Sequence, residues 1–276
     1  MKIGAHVSAS GGLARALQRG TDLGAEVIQV FLSSPRAWAF RNYEPGEAEE
    51  FRSVLSSSGL EMVAHASYLI NLASPDESIR KKSDDLLCAT MASARLLGIS
   101  AVILHTGSHR GEGLDRYRTQ LVNSLTKAAS VGGSTTRLLL ENTAGSGGTI
   151  GARFEELADL IDSVGAGANL GVCLDTQHMF AAGYYFGDPD SVQAVVAELR
   201  STVGAPVAVH LNDSKVPLGK GTDRHENIDE GEIGSKALGM LLTDQLFEES
   251  SVILEVPGAG DGPRKEDVLQ AFSLLR

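Results

Sequence analysis

The chain has 276 residues, 42% of them hydrophobic and 5% aromatic, with two cysteines and a formal net charge of −11. That length suits one (β/α)₈ barrel, so one domain over residues 1–276 is expected. No apolar run approaches the ~18 residues that span a bilayer, no secretory leader is evident, and Cys88 and Cys173 alone make no disulfide framework, so a membrane protein is excluded and a reducing, cytoplasmic setting is expected.

In chain order, short apolar runs alternate with segments whose apolar residues recur at helical spacing. Lys2 to His6 precedes a helix expected over Leu13 to Leu23, and Glu26 to Phe31 precedes Pro45 to Ser57. Leu60 to His65 precedes Ser74 to Leu97, and Ala101 to His105 precedes Asp115 to Val131. Thr136 to Glu141, Leu170 to Asp175, Pro206 to His210 and Ser251 to Glu255 are followed by Arg153 to Val164, Asp190 to Val203, Gly234 to Leu246 and Arg264 to Leu275. Ser74-Pro75-Asp76-Glu77 reads as a helix start, with proline in the first turn and acids at the positive end of the dipole. Gly98, Gly165 and Gly204 stand where helices should stop. Eight strands alternating with eight helices predict a TIM (β/α)₈ barrel.

Seven of the eight runs end on a residue that binds metal or moves a proton: His6, His65, His105, Glu141, Asp175, His210 and Glu255. The run ending at Phe31 does not. In a parallel barrel the carboxyl ends of the strands open onto the loops that build the active site, so these residues converge on one mouth. His178, three residues past Asp175, and the loop pair Asp223 and His225 add further donors. Taken singly, a strand-end histidine is more often a hydrogen-bonded core residue, and a strand-end acid can simply cap a helix. His65, His105, Glu141, Asp175, His178, His210, Asp223, His225 and Glu255 together would be costly to desolvate unpaired, which favours a cation cluster. His6 and His109 are supporting or structural candidates.

The stretch Glu141 to Gly151 is glycine-rich but lacks both nucleotide fingerprints, so it reads as a flexible active-site loop. The negative net charge argues against a polyanionic partner unless bound cations reverse the local field. Arg36 and Arg41 after the second run, and Lys215, Lys220 and Arg224 after the seventh, fall on loops at the expected mouth.

The segments His65-Ala-Ser-Tyr-Leu-Ile-Asn71, His105-Thr-Gly-Ser-His109, Leu140-Glu-Asn-Thr-Ala-Gly145, Cys173-Leu-Asp-Thr-Gln-His178, Val209-His-Leu-Asn-Asp-Ser-Lys215 and Asp223-Arg-His225 resemble endonuclease IV, with similarity running from Gly4 to Glu255. The resemblance implies a TIM barrel that cleaves double-stranded DNA on the 5′ side of abasic sites, cleans 3′ ends, and carries three zinc ions. It implies that His65 and His105 hold one zinc, with Glu141 bridging to a second that Asp175, His210 and Glu255 complete, while His178, Asp223 and His225 hold the third. Glu141 is accordingly the catalytic candidate. Arg36, Tyr68 and Leu69 match positions that enter the DNA at the lesion, and Trp38 lies in the same recognition loop. Gln177 departs from the family, which often has cysteine there, but is not an expected ligand. Ser33 and Ser34 replace other polar or basic residues, which bears on DNA affinity.

Two rivals stand beside this reading. Glu141, Asp175, His210 and Glu255 alone resemble the single-metal site of sugar isomerases and epimerases on a similar barrel. A non-catalytic binder of damaged DNA is the other rival, and the intact ligand set argues against it. A monomer is expected, since no heptad or broad apolar stripe is apparent.

Overall fold

The computed structural model describes residues 1–276. Eight parallel strands close into a barrel: β1 (Lys2–His6), β2 (Val27–Phe31), β3 (Glu61–His65), β4 (Ala101–Leu104), β5 (Arg137–Glu141), β6 (Leu170–Asp175), β7 (Ala208–Leu211) and β10 (Ser251–Leu254). β10 closes the ring between β7 and β1, with Ile253 opposite both His210 and Gly4. A two-stranded antiparallel ribbon, β8 (Asp213–Ser214) with β9 (His225–Glu226), rises from the loop after β7.

The strands form because side chains on alternate residues serve two surfaces. Val27, Val63, Ala101, Ile103, Leu139, Cys173, Ala208 and Ile253 pack into one buried cluster that plugs the barrel interior. The other faces pack outward against the helices in two larger clusters of 34 and 24 buried residues. The near-continuous apolar runs follow from this burial on both faces.

The helices are α1 (Leu13–Leu23), α2 (Pro45–Ser58), α3 (Glu77–Leu97), α4 (Arg118–Gly132), α5 (Phe154–Val164), α6 (Thr176–Ala182), α7 (Pro189–Ser201), α8 (Ser235–Leu242) and α9 (Lys265–Leu275). α3 starts later than its sequence suggested. Asp76 is the cap, accepting from the Ser78 and Ile79 amides, so Pro75 lies outside the helix. The segment expected over Gly234 to Leu246 breaks because Asp244 caps a separate 3₁₀ turn at Gln245–Phe247. The short α6 was not expected, and it carries His178. The glycine-rich stretch is tied down: Ile150 N donates to Gly107 O, and His109 N donates to Gly148 O. No helix is long and apolar enough to cross a membrane.

Candidate metal centre

The donors follow from the strand period. His65, His105, Glu141, Asp175, His210 and Glu255 each stand two residues beyond a member of the interior plug: Val63, Ile103, Leu139, Cys173, Ala208 and Ile253 respectively. They therefore point into the mouth directly above it. Asp175 also caps α6, accepting from His178 N at 2.7 Å, so one carboxylate both faces the mouth and turns His178 towards it.

Donors held ~2.0–2.1 Å from one tetrahedral cation lie about 3.3 Å apart. The side chains here are spaced in that way around three points. His65 Nε2 and His105 Nε2 are each 3.2 Å from Glu141 Oε2. His210 Nδ1 is 2.9 Å from Glu141 Oε1 and 3.3 Å from Glu255 Oε2. His178 Nε2 and His225 Nε2 are each 3.3 Å from Asp223, and His225 Nε2 is 3.5 Å from Asp175 Oδ2. Glu141 is shared by the first two donor groups, and Asp175 by the second and third. All nine expected ligands are thus brought together. His225 Nε2 is buried without a hydrogen-bond partner, as a nitrogen reserved for a cation would be.

The electrostatics show how much charge converges. Burial opposes ionisation of Glu141, yet His105 and His210 hold its carboxyl well below the usual range. Glu255 is likewise held well below the usual range against its burial, chiefly by His210. Burial disfavours a charge on His178, but Asp175 and Asp223 raise its pKa to about 10. Although partly exposed, Asp223 is itself drawn down to about 2, against the crowding of protein around its carboxylate, by His178 and His225.

Several positioning groups were not singled out from sequence. Asn212 donates to Asp175 Oδ2 at 2.7 Å and accepts from Glu255 N at 3.0 Å. Asn142 O is 2.9 Å from His178 Nδ1, and its side-chain oxygen accepts from Asp175 N. The buried Asp213 carboxylate accepts from the amides of Ser214, Asp229, Gly231, Ile233 and Gly234, which folds the loop that carries Asp223 and His225. A Cβ at position 231 would sit 2.5 Å from Asp213 Oδ1, so only glycine allows that approach. Asn212 and Asp213 lie inside the Val209 to Lys215 motif, and their burial is the signal that gives them roles.

A groove of about 920 Å³ opens beside the donors, lined by Phe31, Ser34, Arg41, Tyr68, His225 and Glu255 among others. Arg36, Trp38 and Tyr68 are exposed on its rim loops and Leu69 is half-buried. Ser67 Oγ donates to Pro35 O at 2.8 Å, tying the Tyr68 loop to the Arg36 loop. Arg41 pairs with Glu47 and Lys215 with Glu226, whereas Arg36 and Lys220 make no ion pair.

Residues 17–276 match the family described as the xylose isomerase-like TIM barrel. A probable endonuclease 4 of Chloroflexus aurantiacus is 38% identical across 94% of this chain and 93% of its own length. The crystal structure of endonuclease IV from Thermus thermophilus superposes with a TM-score of 0.84 at 37% identity, covering 99% of this chain and 97% of that one. The chain belongs to the endonuclease IV family. A D-psicose 3-epimerase structure also superposes, with a TM-score of 0.66 at 18% identity over 98% of this chain and 90% of its own, which shows the barrel alone. The endonuclease IV resemblance seen in the sequence motifs therefore extends over the whole fold.

Proposed function

We propose that this chain is a zinc-dependent endonuclease that cuts double-stranded DNA 5′ to abasic sites, leaving a 3′-hydroxyl and a 5′-deoxyribose phosphate, and that also cleans blocked 3′ ends. The observation that carries the reading is the sharing of Glu141 and Asp175 among three donor groups, a set that one cation cannot occupy. His65, His105 and Glu141 would hold the first zinc. Glu141, Asp175, His210 and Glu255 would hold the second, and His178, Asp223 and His225 the third. Bound there, the cations supply Lewis acidity, neutralising phosphate charge and making water a nucleophile at neutral pH.

The chain's own groups bind and select. Arg36, a cation without a carboxylate partner, enters the duplex at the lesion with Tyr68 and Leu69, and Trp38 lies in the same recognition loop. An abasic nucleotide has no base to unstack, so moving it out of the helix costs less than flipping an intact one. The groove beside Tyr68 and Glu255 receives it. Although the Tyr68 side chain is exposed as a whole, enclosure of its hydroxyl end, then Glu255 and Glu141, push the phenol up to about 12, so it stays protonated and donates to an anionic oxygen. The enzyme works as a monomer, with the mouth free for DNA.

The four residues Glu141, Asp175, His210 and Glu255 also form a self-sufficient one-cation group, the feature that favours a sugar isomerase or epimerase. That reading leaves His65, His105, His178, Asp223 and His225 without a task. Incubating the purified chain with an abasic-site duplex, with and without chelator, tests the proposal. Nicking that chelator abolishes and zinc restores is expected, with close to three zinc ions per chain; nicking by the metal-depleted protein would sink it.

A further inference from the structure

β2 brings no metal-binding residue to its end, yet it does bring a polar one into the mouth. Gln29 stands two residues beyond Val27, a member of the interior plug, and is completely buried. A buried amide in an otherwise apolar strand needs partners for two donor hydrogens and an acceptor oxygen. Gln29 finds all three on other strands, His6 beside it on β1 and the other two further round the barrel mouth. Its Nε2 lies 2.6 Å from Glu255 Oε1 and 2.8 Å from His6 Nδ1, and its Oε1 lies 2.9 Å from His210 Nε2.

The chemistry of these partners orients every group. A carboxylate oxygen only accepts, so the amide nitrogen faces Glu255 and the amide cannot be flipped. The amide oxygen then faces His210, and because it carries no hydrogen, Nε2 of His210 must. The nitrogen left facing the carboxylates is Nδ1, which lies 2.9 Å from Glu141 Oε1 and 3.3 Å from Glu255 Oε2. The same amide occupies Oε1 of Glu255 and leaves Oε2 to the mouth. His6 takes the second amide hydrogen and so fixes the rotamer of Gln29.

We propose that Gln29 is the positioning residue of the second cation site: it selects Nδ1 of His210 and Oε2 of Glu255 as the ligating atoms by hydrogen bonds to the other atom of each. This assignment rests on the cation cluster proposed above. It also gives β2 and the otherwise idle His6 a task in that cluster. Partners of ligating histidines typically change metal affinity by about 10–100-fold when removed.

The test uses the full chain, zinc, and the near-isosteric Gln29→Met beside Gln29→Glu. Zinc affinities are measured by competition with a chelator, and the histidine ring nitrogens are observed in ¹⁵N-labelled protein by NMR. In the native chain His210 Nε2 carries its hydrogen with and without zinc, and that hydrogen exchanges slowly. Gln29→Met should weaken one of the three zincs by about 10–100-fold, leave the other two unchanged, and speed exchange of the His210 Nε2 hydrogen. Gln29→Glu should keep that hydrogen bonded while still weakening the same zinc, because a carboxylate now opposes Glu255. Native-like affinity in both variants, equal weakening of all three zincs, or an unprotonated His210 Nε2 in the native chain would overturn the assignment. Should the native chain bind no zinc, the cluster reading fails, while the protonation of His210 is still read from the metal-free spectrum.

Discussion

The two halves of the donor cluster are built differently. Glu141, His210 and Asp175 stand on barrel strands with side chains wholly buried, whereas Asp223 and His225 sit on the loop after β7 and its short β8–β9 ribbon, with 57% and 19% of their side chains exposed. A strand-borne donor is placed by the barrel ladder and its plug, so its position is as firm as the fold. A loop-borne donor is only as firm as the device that folds the loop, here the Asp213 carboxylate and its five amides. Removing a strand donor should therefore damage the chemistry outright, while loosening the loop should weaken one cation and leave the barrel intact.

The largest effect is expected from Glu141→Gln. The shared carboxylate serves two donor groups, so its loss should remove about two zincs per chain and slow single-turnover nicking by about 10³-fold or more. The fold should survive, as judged by circular dichroism; loss of a single zinc would show that the strand half does not share Glu141.

Next, Asp213→Asn turns an NH2 donor towards backbone N–H groups that now donate to the carboxylate, and should loosen the loop. Affinity for the zinc proposed at His178, Asp223 and His225 should fall by about 10–100-fold, with the other two unchanged. Chelator competition measures this, and uniform weakening of all three would erase the distinction between the halves.

The third donor group, which α6 shares with that loop, should also respond to pH. In the metal-free chain the His178 pKa is raised to about 10, against ~6.5 for an unperturbed histidine. A raised histidine stabilises the fold fully below the unfolded value, and that contribution is lost as pH rises through about 10. At neutral pH a zinc must displace the proton, so uptake there should release protons and weaken as pH falls. Calorimetry in two buffers of different ionisation enthalpy reads the release; none would mean that His178 is already neutral.

The smallest effect is expected away from the donors. Trp38→Ala on the rim should weaken binding to an abasic duplex by about tenfold, the scale of one lost stacking contact, without altering zinc content. A change in zinc content would place Trp38 in the cluster rather than on the DNA.

Much of this was legible from residues alone. The alternation of apolar runs with helical spacings gave the barrel, because both periods are local and set by which side chains must leave water. Seven strand-end donors were visible in the same runs. The hidden parts were non-local. Reading only the last residue of each run passed over Gln29, because its inward direction follows from Val27 two residues earlier and its partners lie 181 and 226 residues away. α6 was missed because its seven residues are buried on almost every side and show no amphipathic period. Asp213 looked like part of a motif until the amides around it were seen.

The sequence by itself determined the barrel, the mouth on which the chemistry sits, and the kinds of atom available there, since strand and helix periods and side-chain chemistry are properties of neighbours along the chain. Only the tertiary structure decided which oxygen of Glu255 and which nitrogen of His210 face the mouth, that Glu141 and Asp175 are shared, and how the loop after β7 is held. Those choices depend on closing the ring, which brings β2, β7 and β10 within hydrogen-bond reach of one another, and no local pattern records that contact.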